Sequence, residues 1–388
     1  MINKPIIIVG TGLAGYHLAK EFRKIDSETP LQLFTLDDGH YYSKPQLSNA
    51  LTQGKSPNEL ALSDVSQMRA QLNAEIFTET EIGFVDLKGK HIGAKGKTYP
   101  YKKLVFACGA SQIQLPIQGN ALSSVCTVNN LVQYSQFRKR LVPGQHVAII
   151  GAGLVGCEFA NDLSQAGYEV SVIADSPYPL NRLVPALAGN AVQNALAQAG
   201  VNWYLGKLVT SINQTRNKFQ ITLNDNTSVY ADNVLMSVGL QANTPLAKEA
   251  GISVGKGIVT NEFLETSAED VYALGDCAEI KGEIRQFVAP INYCVKSLAQ
   301  TLAGNKTEVK FPLMPIIVKT PACPVTLLAP SQSQCGRWDF VDDTEITQGM
   351  FYNPENKLVG FVLTGKGKRF MMVRQALLKE VSTHGKPL

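Results

Sequence analysis

The sequence predicts an α/β protein with two Rossmann-like dinucleotide-binding domains, one inserted into the other, and a small α+β C-terminal domain. Three observations carry this. A strand, a glycine turn and a helix open the chain, with VGTGLAGYHLA at 9–19. The same pattern returns far inside it, where GAGLVGCE at 151–158 follows the apolar run HVAII. Two buried strands ending in small-residue turns, KLVFACGAS at 103–111 and NVLMSVGLQANTPL at 233–246, mark where the chain leaves and re-enters the first domain. The expected boundaries are 1–112 with 243–310 for the first domain, 113–242 for the inserted one and 311–388 for the last.

Each copy has the parts that a dinucleotide requires. In the first, PIIIVG is a β-branched strand. Gly10 makes the tight turn, Gly12 lets a pyrophosphate approach the backbone, and Gly15 lets the helix lie close on the strand. The helix LAGYHLAKEFRKI follows at helical apolar spacing, and its free N–H groups face the phosphate. The next strand, LQLFTLDD, ends at Asp37 and Asp38, placed for a ribose 2′-OH. In the second copy the turn is Gly151, Gly153 and Gly156. Its helix closes at Gly167, and its second strand, EVSVIAD, ends at Asp175. One G-x-G-x-x-G is a weak signal, but two with strand, helix and acid in order are a strong one. Two turns imply two dinucleotides, and the simplest pair is a flavin and a nicotinamide. VYALGDCAE at 271–279 supports the flavin, because Asp276 offers acceptor lone pairs to ribityl hydroxyls.

Composition sets the outer limits. The chain has 388 residues, 45% apolar and 18% charged, as an ordinary globular enzyme does. No apolar run reaches the length of a membrane span. The first strand begins at about residue 5, which leaves no room for a cleavable signal, and the expected location is the cytoplasm. Seven cysteines are scattered, none at C-x-x-C or metal-ligand spacing, and no metal is expected. Histidines 17, 40, 91, 146 and 384 do not cluster, and none is expected to act in catalysis.

The motifs GTGLAG, YSKPQLS, GAGLVGCE, YALGDCAE and VKTPACP resemble the FAD- and NAD-dependent pyridine nucleotide–disulfide reductase superfamily. Within it they are most similar to the bacterial rubredoxin–NAD reductases. The likeness runs from about residue 5 to about 325. It implies that Gly10, Gly12, Gly15 and Asp37 hold the ADP half of FAD. Lys44 and Pro45 would lie by the flavin ring and pyrophosphate, and Asp276 on ribityl and phosphate oxygens. Lys319 would reach the flavin from the C-terminal domain. Gly151, Gly153 and Gly156 would hold NADH, with Glu158 near the nicotinamide carboxamide. The ribose acid usually falls where this chain has Ala174, and Asp175 stands one residue later. No arginine follows immediately to welcome a 2′-phosphate, so NADH is expected over NADPH.

The resemblance also implies the reaction. Disulfide reductases of the superfamily carry an early cysteine pair, and peroxide- and oxygen-reducing relatives a single early cysteine. This chain has no cysteine before Cys108, and Ser43 and Lys44 occupy the region instead. Electrons from NADH would therefore leave the flavin directly for an external carrier, one at a time, and rubredoxin is the expected partner. No side chain is required as a general acid or base. The helix beginning near Pro290 would stabilise negative charge on the reduced flavin. Two alternatives remain: a ferredoxin or flavorubredoxin reductase, and a flavin-bound NADH sensor without turnover.

The net charge of +4 lies wholly in residues 309–388, which hold ten Lys/Arg against six Asp/Glu. Lys357, Lys366, Lys368, Arg369, Arg374 and Lys379 occur with no intervening acid. This is a candidate docking patch for an acidic partner, centred on Lys366, Lys368 and Arg369, or else a solvated face. Nucleic acid is not expected, because no binding motif accompanies the small excess.

Overall fold

The computed structural model describes residues 4–330, 334–343 and 345–384. The helices that bear on function are α1 (Leu13–Arg23), α2 (Leu154–Gln165), α3 (Val288–Leu302) and α4 (Gly367–His384). The chain divides into two compact units. The first comprises residues 1–44, 58–111 and 240–311, and the second residues 45–57, 112–239 and 312–388.

The first unit is built on a five-stranded parallel sheet. Its order is Val271–Ala273, Lys103–Phe106, Ile6–Val9, Leu31–Phe34, Glu75–Phe77. Ile6–Val9 is central and buried along its whole length, as a strand covered on both faces must be. The register runs Ile6 to Leu31 on one side and Ile6 to Lys103 on the other. Helix α1 packs on α3, and its buried residues Ala14, Tyr16, Leu18, Ala19 and Phe22 include the helical repeat that the sequence shows.

The second unit repeats this plan. Its parallel sheet has the order Cys126–Thr127, Asn233–Met236, His146–Ile150, Glu169–Ala174, Val201–Leu205. The nucleotide strand is again in the middle. The antiparallel strands Val209–Thr215, Lys218–Leu223 and Ser228–Ala231 cover one part of it. Ile150, Ile173, Ile212, Ile221 and Val234 share their core.

The C-terminal segment forms an antiparallel sheet in the order Ile316–Val318, Val325–Leu328, Leu358–Gly365, Ile346–Tyr352, Arg337–Asp342. Helix α4 lies against Leu358–Gly365 and buries Phe370, Leu377 and Val381 with Phe361 and Leu363. Helix Ala186–Gln198 also packs on Ile346–Tyr352 and Leu358–Gly365, which is why this segment groups with the inserted nucleotide domain.

Both strands end before the acids that the sequence puts at their ends. LQLFTLDD leaves the sheet at Phe34, and the Asp37 N–H then donates to Thr35 Oγ1 at 3.1 Å, which turns the chain before the acids. EVSVIAD ends at Ala174, so Asp175 is exposed beyond the strand.

The third glycine of each turn is set by contact. A Cβ on Gly15 would lie 2.0 Å from Gly10 O, and one on Gly156 would lie 2.1 Å from Gly151 O. Gly15→Val should therefore destabilise the first unit by about 1–3 kcal/mol or more, the cost of forced overpacking. Urea denaturation of the apoprotein, followed by the transition of that unit, measures it.

Candidate functional site: two dinucleotide cradles and a half-buried ion pair

Gly10 and Gly151 hold their turns in the same way. Gly10 has φ +113° and Gly151 φ +110°, a region that L side chains rarely adopt. Gly10 N donates to Phe34 O at 2.7 Å, and Gly151 N to Ile173 O at 2.8 Å. A Cβ on Gly10 would sit 2.3 Å from Ala107 O, and one on Gly151 2.3 Å from Ser237 O. Each turn is thus pressed against the strand end beside it.

The middle glycines differ. Gly12 and Gly153 are the N-caps of α1 and α2, with φ −65° and −77°. Neither helix start has a side-chain cap or an acid in its first turn. A Cβ at either glycine would meet nothing within 4 Å. Open space in front of uncapped N–H groups is what a pyrophosphate requires, so both turns fit a dinucleotide.

In the first unit, Asp276 sits in the turn after Val271–Ala273. Gly275, at φ +78°, brings that turn so close to α1 that a Cβ would lie 2.8 Å from Ala14 Cβ. The Lys44 ammonium stands 3.9 Å from Asp276 Oδ2. Burial pulls Lys44 below the ordinary lysine range against the pull of Asp276, and it pushes Asp276 up against Lys44. Neither charge is well compensated by the other, as expected of groups arranged for a polar ligand. Asp38 Oδ1 accepts from His40 N at 3.1 Å. Asp37 has no ion-pair partner among the described residues, and burial followed by Asp38 raises its pKa. Of the two acids, Asp37 is the one that no ion pair engages among the described residues. Helix α3 begins at Val288, two residues ahead of Pro290, and also lacks a side-chain cap.

In the second unit the structure joins two residues that the sequence assigned to different cofactors. Glu158, 7% exposed on α2, accepts from Lys319 N at 2.9 Å through Oε1. Its Oε2 accepts from Ser48 Oγ at 2.5 Å and lies 3.2 Å from Lys319 Nζ. Lys319 Nζ also donates to Ser48 Oγ at 2.9 Å and to the Pro45 carbonyl. Pro45 thus contributes its backbone oxygen here. Sequence reasoning missed Ser48, whose only signal is its place in YSKPQLS.

It also missed a contact between thiols. All seven cysteines are free, and Cys108 and Cys277 meet inside the first unit. The neighbouring Cys277, together with burial, holds the Cys108 thiol well up, so it is not a ready nucleophile.

Residues 4–292 match the family described as pyridine nucleotide-disulphide oxidoreductase, and the chain belongs to it. Residues 308–381 match the rubredoxin binding C-terminal domain. The chain is 40% identical over 369 residues to a rubredoxin-NAD(+) reductase of Alcanivorax borkumensis, covering 95% of this chain and 97% of that one. It is 35% identical over 383 residues to a nitric oxide reductase FlRd-NAD(+) reductase of Vibrio vulnificus, covering 98% and 99%. Among solved structures, the putidaredoxin reductase–putidaredoxin complex is similar with TM-score 0.87 at 22% identity, covering 97% of this chain and 94% of that one. At that identity the likeness concerns the fold.

The open glycines give a clean test. Gly12→Leu should fold as the parent does, because its side chain enters free space, but should purify without FAD. Gly153→Leu should keep FAD and lose NADH binding. Flavin absorbance and NADH titration read the two outcomes separately, and the reverse pattern would exchange the two assignments.

Proposed function

We propose that this protein is an NADH-dependent flavoprotein reductase that passes electrons, through FAD, to rubredoxin. The observation that carries the reading is the duplicated cradle: two uncapped helix starts behind open glycines, each in its own parallel sheet. FAD supplies the conversion from a two-electron donor to one-electron transfers. The protein's own part is position. Gly10, Gly12, Gly15 and Asp37 fit the ADP half of FAD, while Lys44 and Asp276 fit its more polar middle. Gly151, Gly153 and Gly156 fit the pyrophosphate of NADH. Asp175, exposed past the strand end, is the acid within reach of that nucleotide's ribose.

Glu158 and Lys319 act in this reading as one unit. Glu158 Oε1 accepts one backbone N–H and keeps a lone pair for a carboxamide. Lys319, held by Glu158, Ser48 and Pro45, fixes the orientation of that carboxylate. Both groups orient and neither moves a proton. The first cysteine, Cys108, is tied by its thiol to Asn243 O at 3.2 Å and to Cys277, which supports an external acceptor over an internal sulfur. The set of seven free thiols suits a reducing compartment, and we place the protein in the cytoplasm. No helix among the described residues is long and apolar enough to cross a membrane.

The match of residues 308–381 supports rubredoxin as the partner, and α4 supplies a face for it. Lys366, Lys368 and Arg369 are exposed at the start of this helix, beside Met371 and Met372, which are 56% and 72% exposed. Arg369 is partly neutralised by Asp343 at 2.7 Å and Glu345 at 3.9 Å. Lys366 and Lys368 have no ion pair among the described residues and carry the free charge. Basic residues at a helix start oppose the macrodipole, so an acidic partner relieves a local cost. The polarizable methionines suit a small transient contact. The Vibrio vulnificus relative favours one second reading, in which the acceptor is a flavorubredoxin.

The rate of rubredoxin reduction should fall as ionic strength rises, since charges on an exposed face are screened over about 8 Å at physiological salt. Reduction by NADH should hardly change. Lys366→Glu with Lys368→Glu should slow the rubredoxin step, and adding Arg369→Glu should cost less than either lysine. Stopped-flow measurement of each half-reaction, with rubredoxin and flavorubredoxin compared, decides between patch and solvated face and between the two acceptors.

A further inference from the structure

Helix α2 carries more polar groups in its buried face than the cradle uses. Glu158, Asn161 and Asp162 are 7%, 2% and 1% exposed. They stand at i, i+3 and i+4, so they share one face of about one turn. Glu158 touches two stretches of chain within the second unit, and Asp162 and Asn161 each hold one of them. Asp162 Oδ2 accepts from Leu51 N at 3.1 Å. Its Oδ1 accepts from Thr52 N at 3.0 Å and Thr52 Oγ1 at 2.6 Å. Asn161 Oδ1 accepts from Ala322 N at 3.0 Å. These partners lie three and four residues beyond Ser48 and three residues beyond Lys319.

The burial is costly. It raises the Asp162 pKa despite three hydrogen bonds that favour the anion. Apolar residues in this face would pack at least as stably. Hydrogen-bonded polar groups give instead a fixed register between segments that share no sheet or helix with α2. Without them Ser48 and Lys319 would meet Glu158 only through their own contacts, on chain stretches free to shift.

We propose that Asn161 and Asp162 are positioning residues for hydride transfer, which lock the 45–52 and 319–323 segments to the nucleotide helix so that Ser48 and Lys319 meet Glu158 in one geometry. The inference rests on the reading of α2 as the NADH helix. It assigns the two residues no contact with substrate or cofactor.

The test uses the flavin-loaded full chain and two readouts. In hydrogen exchange, Asn161→Ala should deprotect the 319–323 segment and leave 50–53 as in the parent. Asp162→Ala should do the reverse, and Asp162→Asn, which keeps an acceptor for Thr52, should restore most of the protection there. In stopped flow, each alanine variant should lower the limiting rate of reduction by NADH about tenfold or more, because small displacements at a reacting centre are expensive. NADH affinity should change by less than about threefold, the split expected when only transition-state geometry is lost. Deprotection with an unchanged limiting rate would make both residues merely structural and overturn the proposal. So would a loss of affinity in step with the rate, or no deprotection at all. Parent protein that NADH fails to reduce would instead remove the underlying reading, and the parent control separates that failure from the others.

Discussion

The structure depends on backbone approaching backbone where no side chain fits. At Gly10 and Gly151 the chain turns out of a central strand against the carbonyl of the strand beside it, 2.3 Å from where a Cβ would stand in both. That contact fixes the helix start relative to the sheet, and the helix start carries the free N–H groups. Gly15 and Gly156 then bring the first helical turn onto the same glycine's carbonyl. The middle glycines have ordinary φ values and open surroundings, so packing does not require them to be bare. Two glycines of each motif are thus required by packing and one is not, although the sequence pattern shows all three alike.

The two cradles diverge past the turn. In the first unit the charged groups that follow, Lys44 and Asp276, stand 3.9 Å apart and are each driven toward neutrality by burial. In the second, Glu158 is paired with Lys319 at 3.2 Å and held by Ser48. A loosely compensated pair suits contacts that a bound group completes. A compensated pair suits a fixed electrostatic feature, since it needs no ligand to be stable. The same fold plan therefore holds one loosely compensated polar pair and one closely compensated one.

Much of this was legible in the chain, and what was not has a common cause. Both parallel sheets, the glycine turns and the insertion follow from local patterns, because strand, turn and helix lie within thirty or so residues of each other. Counting to the end of a strand places Asp37 and Asp175, and both lie past it: Asp37 because the chain turns at Thr35 before the apolar run ends, Asp175 as the first residue after Ala174. The ion pair of Glu158 with Lys319 spans 161 residues, and its contact with Ser48 spans 110. No periodicity reports such a contact. Each residue could be recognised by its motif, yet the motif assigned the two ends to different cofactors. Asn161 and Asp162 left a fainter signal, a polar pair on the buried face of an otherwise apolar helix. The approach of Cys108 to Cys277 left none.

Charge in the C-terminal domain illustrates the same limit in a different way. Along the sequence, Lys366, Lys368 and Arg369 form an uninterrupted basic run. In space, the segment before strand Ile346–Tyr352 brings Asp343 and Glu345 to Arg369, so one of the three charges is already answered. The linear run overstates the field and misplaces its centre, which lies at the two lysines. What the sequence could not show is the apolar component: Phe370, Leu377 and Val381 take α4's buried face, and this leaves Met371 and Met372 in solvent beside the lysines. A surface that pairs a modest, salt-sensitive attraction with soft apolar contact favours fast encounter and fast release. In the docking we propose, a carrier that receives one electron at each visit needs both.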